Sequence, residues 1–425
     1  TRNATRGGRV KVLFLTDWHA RGGAAIAANR LAGALSQQGH EVVWAAARVE
    51  AHGPNVYSYA DGPFVRQAAQ RLANKFVPTL EPVIKQTFMV RRIHEIVRQV
   101  RPHVINVHNI HGANLPPPLP AELSRHTPVV WTLHDMWAFT GTCVYSYDCR
   151  AFVEGCTAAC PHCERYPCLP ASQVSAAYRS RRRALQRAGR IAMVCPSRWL
   201  AQEARAGMFR DQCVRVIPNS LDLETFCPIG RSAARTALGV PDDAPVILSA
   251  SLALNDPRKG AASLLQAISR LTARKITWLT LGQNDQVAVP DHVRHLPMPS
   301  VQDERLLRLA YNAADVHVLP TMADNLPNVL LEAASCGTPS VAFDVGGVGE
   351  VVIDGTTGWN VTPGDTSQLV TAIERVLQLD ANRTATLRRS CRVFAEKHFA
   401  PSVQSSRYTE LFTQLIASGH QRKAA

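Results

Sequence analysis

Two carboxylates, Asp324 and Glu332, lie where the sequence predicts a ligand site. A short apolar strand from Val316 to Leu319 runs into a loop, and a helix follows from about Asn328 to Cys336. Gly337 ends that helix, because glycine tolerates the positive φ found just after a C-cap. The N–H groups between the two carboxylates belong to a helix N-terminus, which favours anionic and hydroxyl-rich ligands. The arrangement suits sugar hydroxyls, although a capped surface helix gives the same pattern.

A pair of cations, Arg258 and Lys259, precedes a second predicted helix from Ala261 to Thr272. Two cations at a loop-to-helix junction can neutralise a diphosphate. In an arbitrary sequence the same residues would form an exposed turn. The pair is therefore a candidate diphosphate-binding site only if other motifs in the sequence support it.

A histidine and a glycine pair mark two further strand ends. His134 follows a buried strand predicted from Val129 to Leu133, so it lies at the edge of the sheet where ligands bind. Asp135 either orients its imidazole or caps the following turn. Gly22 and Gly23 lie between the first strand and the first helix, where glycines let the backbone approach a phosphate or an acceptor closely.

Cysteines are concentrated in one short segment. Six of the eleven fall within 26 residues: Cys143, Cys149, Cys156, Cys160, Cys163 and Cys168. In a reducing compartment this density favours metal coordination over disulfides, and four thiolates hold structural Zn²⁺ in a closed tetrahedral site. The predicted ligands are Cys143, Cys149, Cys156 and Cys160. The spacings match no standard zinc pattern, so disulfides, free thiols, redox chemistry and an iron–sulfur cluster stay open.

The segment around Asp324 resembles a known family. It resembles the nucleotide-sugar signature of the retaining GT-B glycosyltransferases of family 4, which is an acidic residue followed by seven residues and a Glu. The flanking motifs L-P-T, E-A, C-G-T-P and G-G-x-x-E are similar to those of that family as well. The R-K-G of residues 258–260 is similar as well. Two departures are Asp324, where the family usually has Glu, and Ser249–Ala253, where the family has a G-R pair. The D-N-L-P-N and H-D-M-W-x-F-T-G-x-C segments resemble a polysaccharide-biosynthesis branch with a Cys-rich insertion.

The resemblance implies a role for each matching residue. Glu332 would hold the ribose, Asp324 the sugar hydroxyls, and Lys259 with Arg258 the diphosphate. Backbone amides around Asn325 and Leu326 would bind the sugar. His134 would contact the transferred sugar, which makes it a catalytic candidate beside Asp324 and Glu332. Gly22 and Gly23 would line the donor phosphate or the acceptor.

The implied activity is retaining transfer of a sugar from a nucleotide-diphosphate sugar to a hydroxyl of a glycan or lipid-linked acceptor. No carboxylate nucleophile stands out, so we expect front-face transfer assisted by the leaving diphosphate, with fixed charges stabilising the transition state. No D-x-D motif follows a strand, so the chemistry should need no metal or other cofactor. Two alternatives are a nucleotide-sugar epimerase with the same fold and a non-catalytic scaffold that uses the cysteine segment.

The net charge of +14 calls for an anionic partner. No zinc-finger, helix-turn-helix or RNA-binding pattern accompanies it, which argues against nucleic acid. A basic, partly apolar stretch over residues 61–100 fits either membrane-surface binding or an ordinary packed helix. The chain has no run of about 18 apolar residues and no recognisable signal peptide. We therefore expect a cytoplasmic protein, peripheral on an anionic membrane.

Strands and helices alternate through both halves of the 425 residues. This pattern, with the resemblance, predicts an α/β protein of the GT-B class, with two doubly wound Rossmann-like domains facing a cleft. Residues 1–222 would form the acceptor-side domain with the insertion at 143–170. Residues 223–398 would bind the nucleotide sugar, and residues 399–425 would form a helix that crosses back to the first domain.

Overall fold

The structure, a computed structural model, describes residues 8–51, 53–60, 81–250, 256–272, 275–282, 287–299, 301 and 303–421. It divides the chain into two compact units, residues 1–217 with 404–425 and residues 218–403. The predicted boundaries differ by five residues each, 222 against 217 and 398 against 403. The first half of the predicted basic stretch, residues 61–80, lies outside the described residues.

The first unit is a seven-stranded parallel sheet in the order β3-β2-β1-β4-β5-β6-β7. Its strands are β1 (Lys11–Trp18), β2 (Glu41–Arg48), β3 (Val56–Ser58), β4 (Val104–Val107), β5 (Val129–Thr132), β6 (Ile191–Cys195) and β7 (Cys213–Val216). Its helices are α1 (Gly23–Gln37), α2 (Glu81–Val100), α3 (Leu119–Leu123), α4 (Ala151–Glu154), α5 (Ala171–Gln186) and α6 (Arg198–Ala206). The central strands are mostly apolar because both faces of the sheet are covered, and Asn106 of β4 and Thr132 of β5 are buried polar exceptions.

The second unit is a six-stranded parallel sheet in the order β10-β9-β8-β11-β12-β13. Its strands are β8 (Val246–Ala250), β9 (Ile276–Leu281), β10 (Val293–Met298), β11 (Val316–Leu319), β12 (Ser340–Phe343) and β13 (Gly358–Val361). Its helices are α7 (Arg231–Leu238), α8 (Ala261–Arg270), α9 (Glu304–Ala313), α10 (Asn328–Ser335), α11 (Thr366–Leu377) and α12 (Ala381–Phe399).

The strand order reverses once in each sheet. The reversal lies between β1 and β4 in the first unit and between β8 and β11 in the second. At such a switch point the loops that follow the two neighbouring strands run in opposite directions and leave a crevice beyond the carboxyl ends. Each unit therefore has one place where the fold itself favours a ligand site.

The last helix, α13 (Pro401–Gln421), packs on the sheet of the first unit. Tyr408 and Phe412 are buried there against Phe14 and Val12 of β1. This contact is the one predicted for the C-terminal helix. Within the described residues, no helix combines the length and apolarity needed to cross a membrane.

Three strands were not predicted: β3, β10 and β13. The sequence pattern predicts helix from just after Gly358 to about Phe399, and this is wrong for residues 359–361, which belong to β13. Gly358 allows the strand because a Cβ at that position would lie 1.7 Å from the carbonyl oxygen of Ser340 on β12. β10 contains Pro297, and a proline in a sequence pattern usually indicates the end of a strand. Because β10 lies at the edge of the sheet, the strand tolerates this proline.

Candidate functional site

The second unit's switch point is built from two loops in backbone contact. After β8, residues 257–259 form a 3₁₀ turn, capped by Asp256 through the Arg258 N–H at 2.9 Å. Gly260 has φ 70°, and a Cβ on it would lie 1.8 Å from the carbonyl oxygen of Pro320, which follows β11. Only glycine, which has no Cβ, allows the two backbones to lie this close. This contact explains why the R-K-G motif ends in glycine.

Hydrogen bonds then tie the Arg258 backbone and side chain to the loop after β11. The carbonyl of Arg258 accepts from the Met322 N–H at 2.7 Å and from the Thr321 hydroxyl at 3.1 Å. Nη1 of Arg258 donates to the carbonyl of Ala323 at 3.1 Å. These bonds hold the cation-bearing turn against the loop that carries Asp324.

The cation pair and the first carboxylate of the signature converge. Nζ of Lys259 lies 2.8 Å from Oδ2 of Asp324, and Nη1 of Arg258 lies 3.7 Å from the same oxygen. Oδ1 of Asp324 accepts the N–H of Asn325 at 3.0 Å. Lys259 and Asp324 are 23% and 14% exposed, so the pair is shielded without being sealed from solvent. Sequence motifs 65 residues apart thus form one polar cluster.

Glu332 lies on α10 and is 6% exposed. Its Oε2 accepts a hydrogen bond from the hydroxyl of Tyr311 on α9 at 2.9 Å. The carbonyl of Tyr311 in turn accepts from the Thr338 hydroxyl at 2.7 Å. Asn325 and Leu326, the predicted sugar-binding residues, are also buried. The carboxylate of Glu332 is thus held in a fixed orientation, and Tyr311 is a site residue that the sequence did not reveal.

In the first unit, His134 ends a chain of buried hydrogen bonds. Its Nε2 lies 2.9 Å from Nδ1 of His108, whose Nε2 lies 3.2 Å from Oδ1 of Asn106. Nδ2 of Asn106 donates to the Thr132 hydroxyl at 2.9 Å, which lies 3.0 Å from the hydroxyl of Tyr408 on α13. The tilt of the His134 ring is therefore set by β4, β5 and the C-terminal helix together.

We expect Tyr408→Phe to lower the free energy of unfolding by about 1–3 kcal/mol, because Thr132 and Asn106 would lose part of their hydrogen bonding in a buried site. Chemical denaturation monitored by circular dichroism measures the change. Tyr57→Phe, at a partly buried tyrosine on β3 of the same unit, is the matched control. Equal stability of the two variants would show that the chain of bonds contributes nothing at this end.

Burial lowers the pKa of His134 to about 4, even though Asp135 opposes that shift. The imidazole is therefore neutral at physiological pH and can accept or donate one hydrogen bond. In the unfolded chain a histidine has a pKa near 6.5. Below that pH His134 is protonated in the unfolded chain but stays neutral in the folded protein. The free energy of unfolding therefore falls as the pH drops from about 6.5 to about 4.

Replacing His134 with asparagine should flatten that pH dependence. Thermal unfolding at several pH values should show a slope smaller by up to about 1.4 kcal/mol per pH unit within the window. His126→Asn, at an exposed histidine of the same unit, should leave the slope unchanged. A wild-type slope in His134→Asn would mean that other buried histidines account for the acid sensitivity.

Asp135 does not orient His134. Its Oδ2 lies 3.0 Å from Nε2 of His111, and its Oδ1 accepts the N–H of Trp137 at 2.9 Å, which caps the turn at 137–139. Of the two predicted roles, capping is confirmed and orientation of His134 is wrong. Burial alone would lower the pKa of His111, but the charge and hydrogen bond of Asp135 raise it. The carboxylate at this strand end therefore orients His111.

His111 belongs to a polar group at the β1/β4 switch point. Its Nδ1 lies 3.2 Å from the hydroxyl of Tyr166, which comes from the Cys-rich segment. Asp17, at the end of β1, is 8% exposed and accepts the N–H of Gly112 at 3.1 Å. Burial raises the pKa of Asp17, and the nearby His111 opposes the shift. The sequence places Asp17, His111 and Asp135 at three strand ends, but only the strand order shows that they meet.

The glycine pair lies at the start of α1. Gly22 has φ 94° and open space around its Cβ position, and Gly23 is the first residue of the helix. Trp18 lies nearby, with the guanidinium of Arg48 4.3 Å and that of Arg21 5.7 Å from its ring centroid. The pair therefore marks an accessible helix N-terminus flanked by cations.

All eleven cysteines are free thiols. The four predicted zinc ligands, Cys143, Cys149, Cys156 and Cys160, line one cavity, and the other two cysteines of the segment do not. Burial and the neighbouring cysteines raise the pKa of Cys143 to about 12, and burial raises that of Cys156 to about 11, so neither is a reactive thiolate on its own. As they stand, no three His, Cys, Asp or Glu side chains of the described residues are placed to hold a metal ion.

Family models match both units. The model described as Glycosyltransferase Family 4 matches residues 21–225, and the model described as Glycosyl transferases group 1 matches residues 244–379. Among solved structures, sucrose-phosphate synthase from Thermosynechococcus elongatus aligns over 96% of this chain and 100% of that one, with a TM-score of 0.71 and 20% identity. The chain has the GT-B fold of glycosyltransferases.

A second solved structure with a similar fold is that of the Anabaena protein HepE in complex with UDP-glucose. It aligns over 96% of this chain and 100% of that one, with a TM-score of 0.64 and 18% identity. At these identities the structural likeness shows the fold alone. The residues of the site must therefore be argued from their own geometry.

Curated relatives with detectable sequence similarity include D-inositol 3-phosphate glycosyltransferases. The protein from Geodermatophilus obscurus is 31% identical over 231 residues, 48% of this chain and 49% of that protein. The protein from Saccharomonospora viridis is 34% identical over 205 residues, 43% of this chain and 46% of that protein. The matches span about half the length of these relatives.

Proposed function

We propose that this protein is a retaining glycosyltransferase that moves a sugar from a nucleotide-diphosphate sugar to a hydroxyl of a glycan or lipid-linked acceptor in surface polysaccharide biosynthesis. The observation that carries the proposal is the convergence of Lys259 and Arg258 on Asp324 at the β8/β11 switch point. A diphosphate donor needs cations and a sugar needs a carboxylate, and the cluster holds both within hydrogen-bonding distance of each other.

The donor's diphosphate would compete with Asp324 for the ammonium of Lys259. With Lys259 and Arg258 on the phosphates, the carboxylate of Asp324 would accept hydrogen bonds from sugar hydroxyls. Glu332, held by Tyr311, would accept from the ribose hydroxyls. The N–H groups at the start of α10, near Asn325, would donate to the sugar or its phosphate.

The reaction would proceed on one face of the sugar. The bond between the anomeric carbon and the diphosphate oxygen breaks, the acceptor oxygen bonds to the same face, and the leaving diphosphate takes the acceptor's proton. Charge grows on the diphosphate as the sugar becomes oxocarbenium-like, so Lys259 and Arg258 would stabilise the transition state more than the bound donor. His134, neutral and tied to His108, would hydrogen-bond the transferred sugar.

The first unit supports a hydroxyl-bearing acceptor. Asp17, His111, Asp135 and Tyr166 present carboxylate, imidazole and phenol groups at neighbouring strand ends. Such groups bind hydroxyls in both donor and acceptor senses. The net charge of +14 fits an acceptor displayed at an anionic membrane surface on the cytoplasmic side.

The test begins with calorimetric titration of a panel of UDP- and GDP-sugars. We expect one nucleotide class to bind, and radiolabelled transfer from that donor to a lipid-linked glycan fraction to follow. NMR of the product should show the anomeric configuration of the donor. Activity should persist after chelation without added Mg²⁺ or Mn²⁺.

The outcomes separate this proposal from its rivals. Conversion of the donor to a new free nucleotide sugar without an acceptor would indicate an epimerase. A folded protein that binds no nucleotide sugar would indicate a scaffold. Inverted product, or activity restored only by Mg²⁺ or Mn²⁺, would contradict the mechanism while leaving the donor site in place.

A further inference from the structure

The Cys-rich segment is held with little regular structure. Between Thr140 and Pro170 its one regular element is the single turn of α4. Loops of this length inside a compact domain are uncommon and need some other means of fixation. Phe152 is buried under one side of the segment, packed against Phe139 with ring centroids 5.8 Å apart. The contact between Phe152 and Phe139 fixes α4 itself, so the loop residues on both sides of α4 need a further means of fixation.

Four of its cysteines lie around a common space. Cys143, Cys149, Cys156 and Cys160 line one cavity, and Cys143 and Cys156 are buried. The Gly141 N–H donates to Sγ of Cys156 at 3.2 Å. A Cβ at Gly141 would lie 2.9 Å from Cβ of Cys156, so the glycine lets the backbone reach the sulfur. Backbone donors to sulfur stabilise negative charge on that sulfur.

A buried cation lies beside this cavity. Arg181 on α5 is 3% exposed, and its Nη1 donates to the carbonyl of Gly141 at 2.7 Å. Gly141 is also the residue whose N–H donates to Sγ of Cys156. Its guanidinium lies 4.5 Å from the ring centroid of Trp137. Within the described part of the chain no carboxylate forms an ion pair with Arg181, and its Nε has no hydrogen-bond partner. A buried cation is costly unless a negative charge faces it.

We propose that Cys143, Cys149, Cys156 and Cys160 form a structural Zn²⁺ site whose net negative charge is partly offset by Arg181. Each thiol loses its proton to solvent as the metal binds, and four thiolates with one Zn²⁺ leave two net negative charges. With a disulfide or a set of neutral thiols, Arg181 would have only the Gly141 carbonyl and the Trp137 ring as partners, and neither carries a negative charge. The buried guanidinium therefore favours the metal over both. In their described positions the four thiols do not form a metal site, so metal binding requires their side chains and the loop that carries them to move.

The site would also position a residue of the first unit's polar group. The hydroxyl of Thr142, next to Cys143, donates to the carbonyl of Pro167, and Tyr166 reaches His111. The metal would therefore fix the loop that brings Tyr166 to the strand ends.

Metal content is the first test. Full-length protein purified without chelators should contain about one zinc per chain by mass spectrometry of the metal. Cys143→Ser and Cys156→Ser should lose it, whereas Cys163→Ser and Cys168→Ser, in the same segment but away from the cavity, should keep it. Loss in the control variants instead, a metal-free wild type, bound iron with visible absorption, or a disulfide between the four cysteines would each overturn the proposal.

Arg181 is tested through metal affinity and not through activity. Cobalt titration of the zinc-free protein should show thiolate charge-transfer absorption, and Arg181→Gln should weaken cobalt and zinc binding by about 10- to 100-fold, as for other residues that support metal ligands. Arg181→Lys, which keeps the charge, should restore part of the affinity. Unchanged affinity in a folded Arg181→Gln variant would remove the charge-balance argument. If that variant fails to fold, the Lys variant must still bind more weakly than wild type.

Discussion

Replacing Lys259 with alanine is expected to lower the rate of sugar transfer by about 100- to 1,000-fold, the cost of removing one positioned electrostatic group. The ammonium lies 2.8 Å from Asp324 and is the cation closest to that carboxylate among the described residues. Since charge develops on the departing diphosphate, its loss should reduce kcat as well as donor affinity. Steady-state kinetics with the donor identified by calorimetry measures both effects.

The matched control is Lys275→Ala, which removes an exposed lysine of the same unit before β9. It should leave the kinetics unchanged. Full turnover in a folded Lys259→Ala variant would remove Lys259 from the diphosphate site and leave Arg258 as the candidate. Loss of stability in Lys259→Ala would instead show that its main partner is Asp324, and Lys259→Ala combined with Asp324→Asn would then recover that stability.

Much of the fold could be predicted because its strands are short apolar runs bounded by clear signals. β11, α10 and β12 lie within one residue of their predicted bounds, since Gly337 ends the helix and the strands are buried on both faces. The elements that were missed are the ones whose stability comes from neighbours. β13 forms because the backbone of Gly358 lies close to that of Ser340 on β12. The four-residue sequence of β13 does not show this contact, since Ser340 is distant in the chain.

The site divides in the same way. The spacing of Asp324 and Glu332 and the R-K-G turn are local, so sequence alone could suggest them. The Tyr311–Glu332 bond joins residues 21 positions apart, and the Thr132–Tyr408 bond joins residues 276 apart. Such partners become visible only when strand order is known. Asp135 shows the limit of local reasoning, because adjacency to His134 suggested a pair and the topology gave it His111 instead.

Both units use their switch point, with different chemistry at each. The crevice at β8/β11 gathers two cations around one carboxylate, which suits a charged leaving group. The crevice at β1/β4 gathers imidazoles, carboxylates and a phenol, which suits neutral hydroxyls. The proposed transferase would need one site of each kind, and each sheet offers one candidate at its switch point.

Replacing Glu332 with alanine is expected to abolish transfer by weakening donor binding by about 100-fold or more. Two ribose hydroxyls would each lose a charge-assisted hydrogen bond, a contribution of about 1.5–3 kcal/mol apiece. The carboxylate is buried and its orientation is fixed by the hydrogen bond from Tyr311. Calorimetric titration of the donor into wild type and variant measures the loss directly.

Structural damage must be separated from loss of the ribose contact, because the hydroxyl of Tyr311 also loses its partner in Glu332→Ala. Glu332→Gln keeps the volume and an acceptor oxygen, so it should fold like wild type and still bind the donor weakly. Glu374→Ala, on α11 of the same unit, is the control for removing a glutamate and should bind normally. Wild-type affinity in both Glu332 variants would mean that the ribose is held elsewhere, and the eight-residue spacing to Asp324 would then be no more than the start of a buried helix.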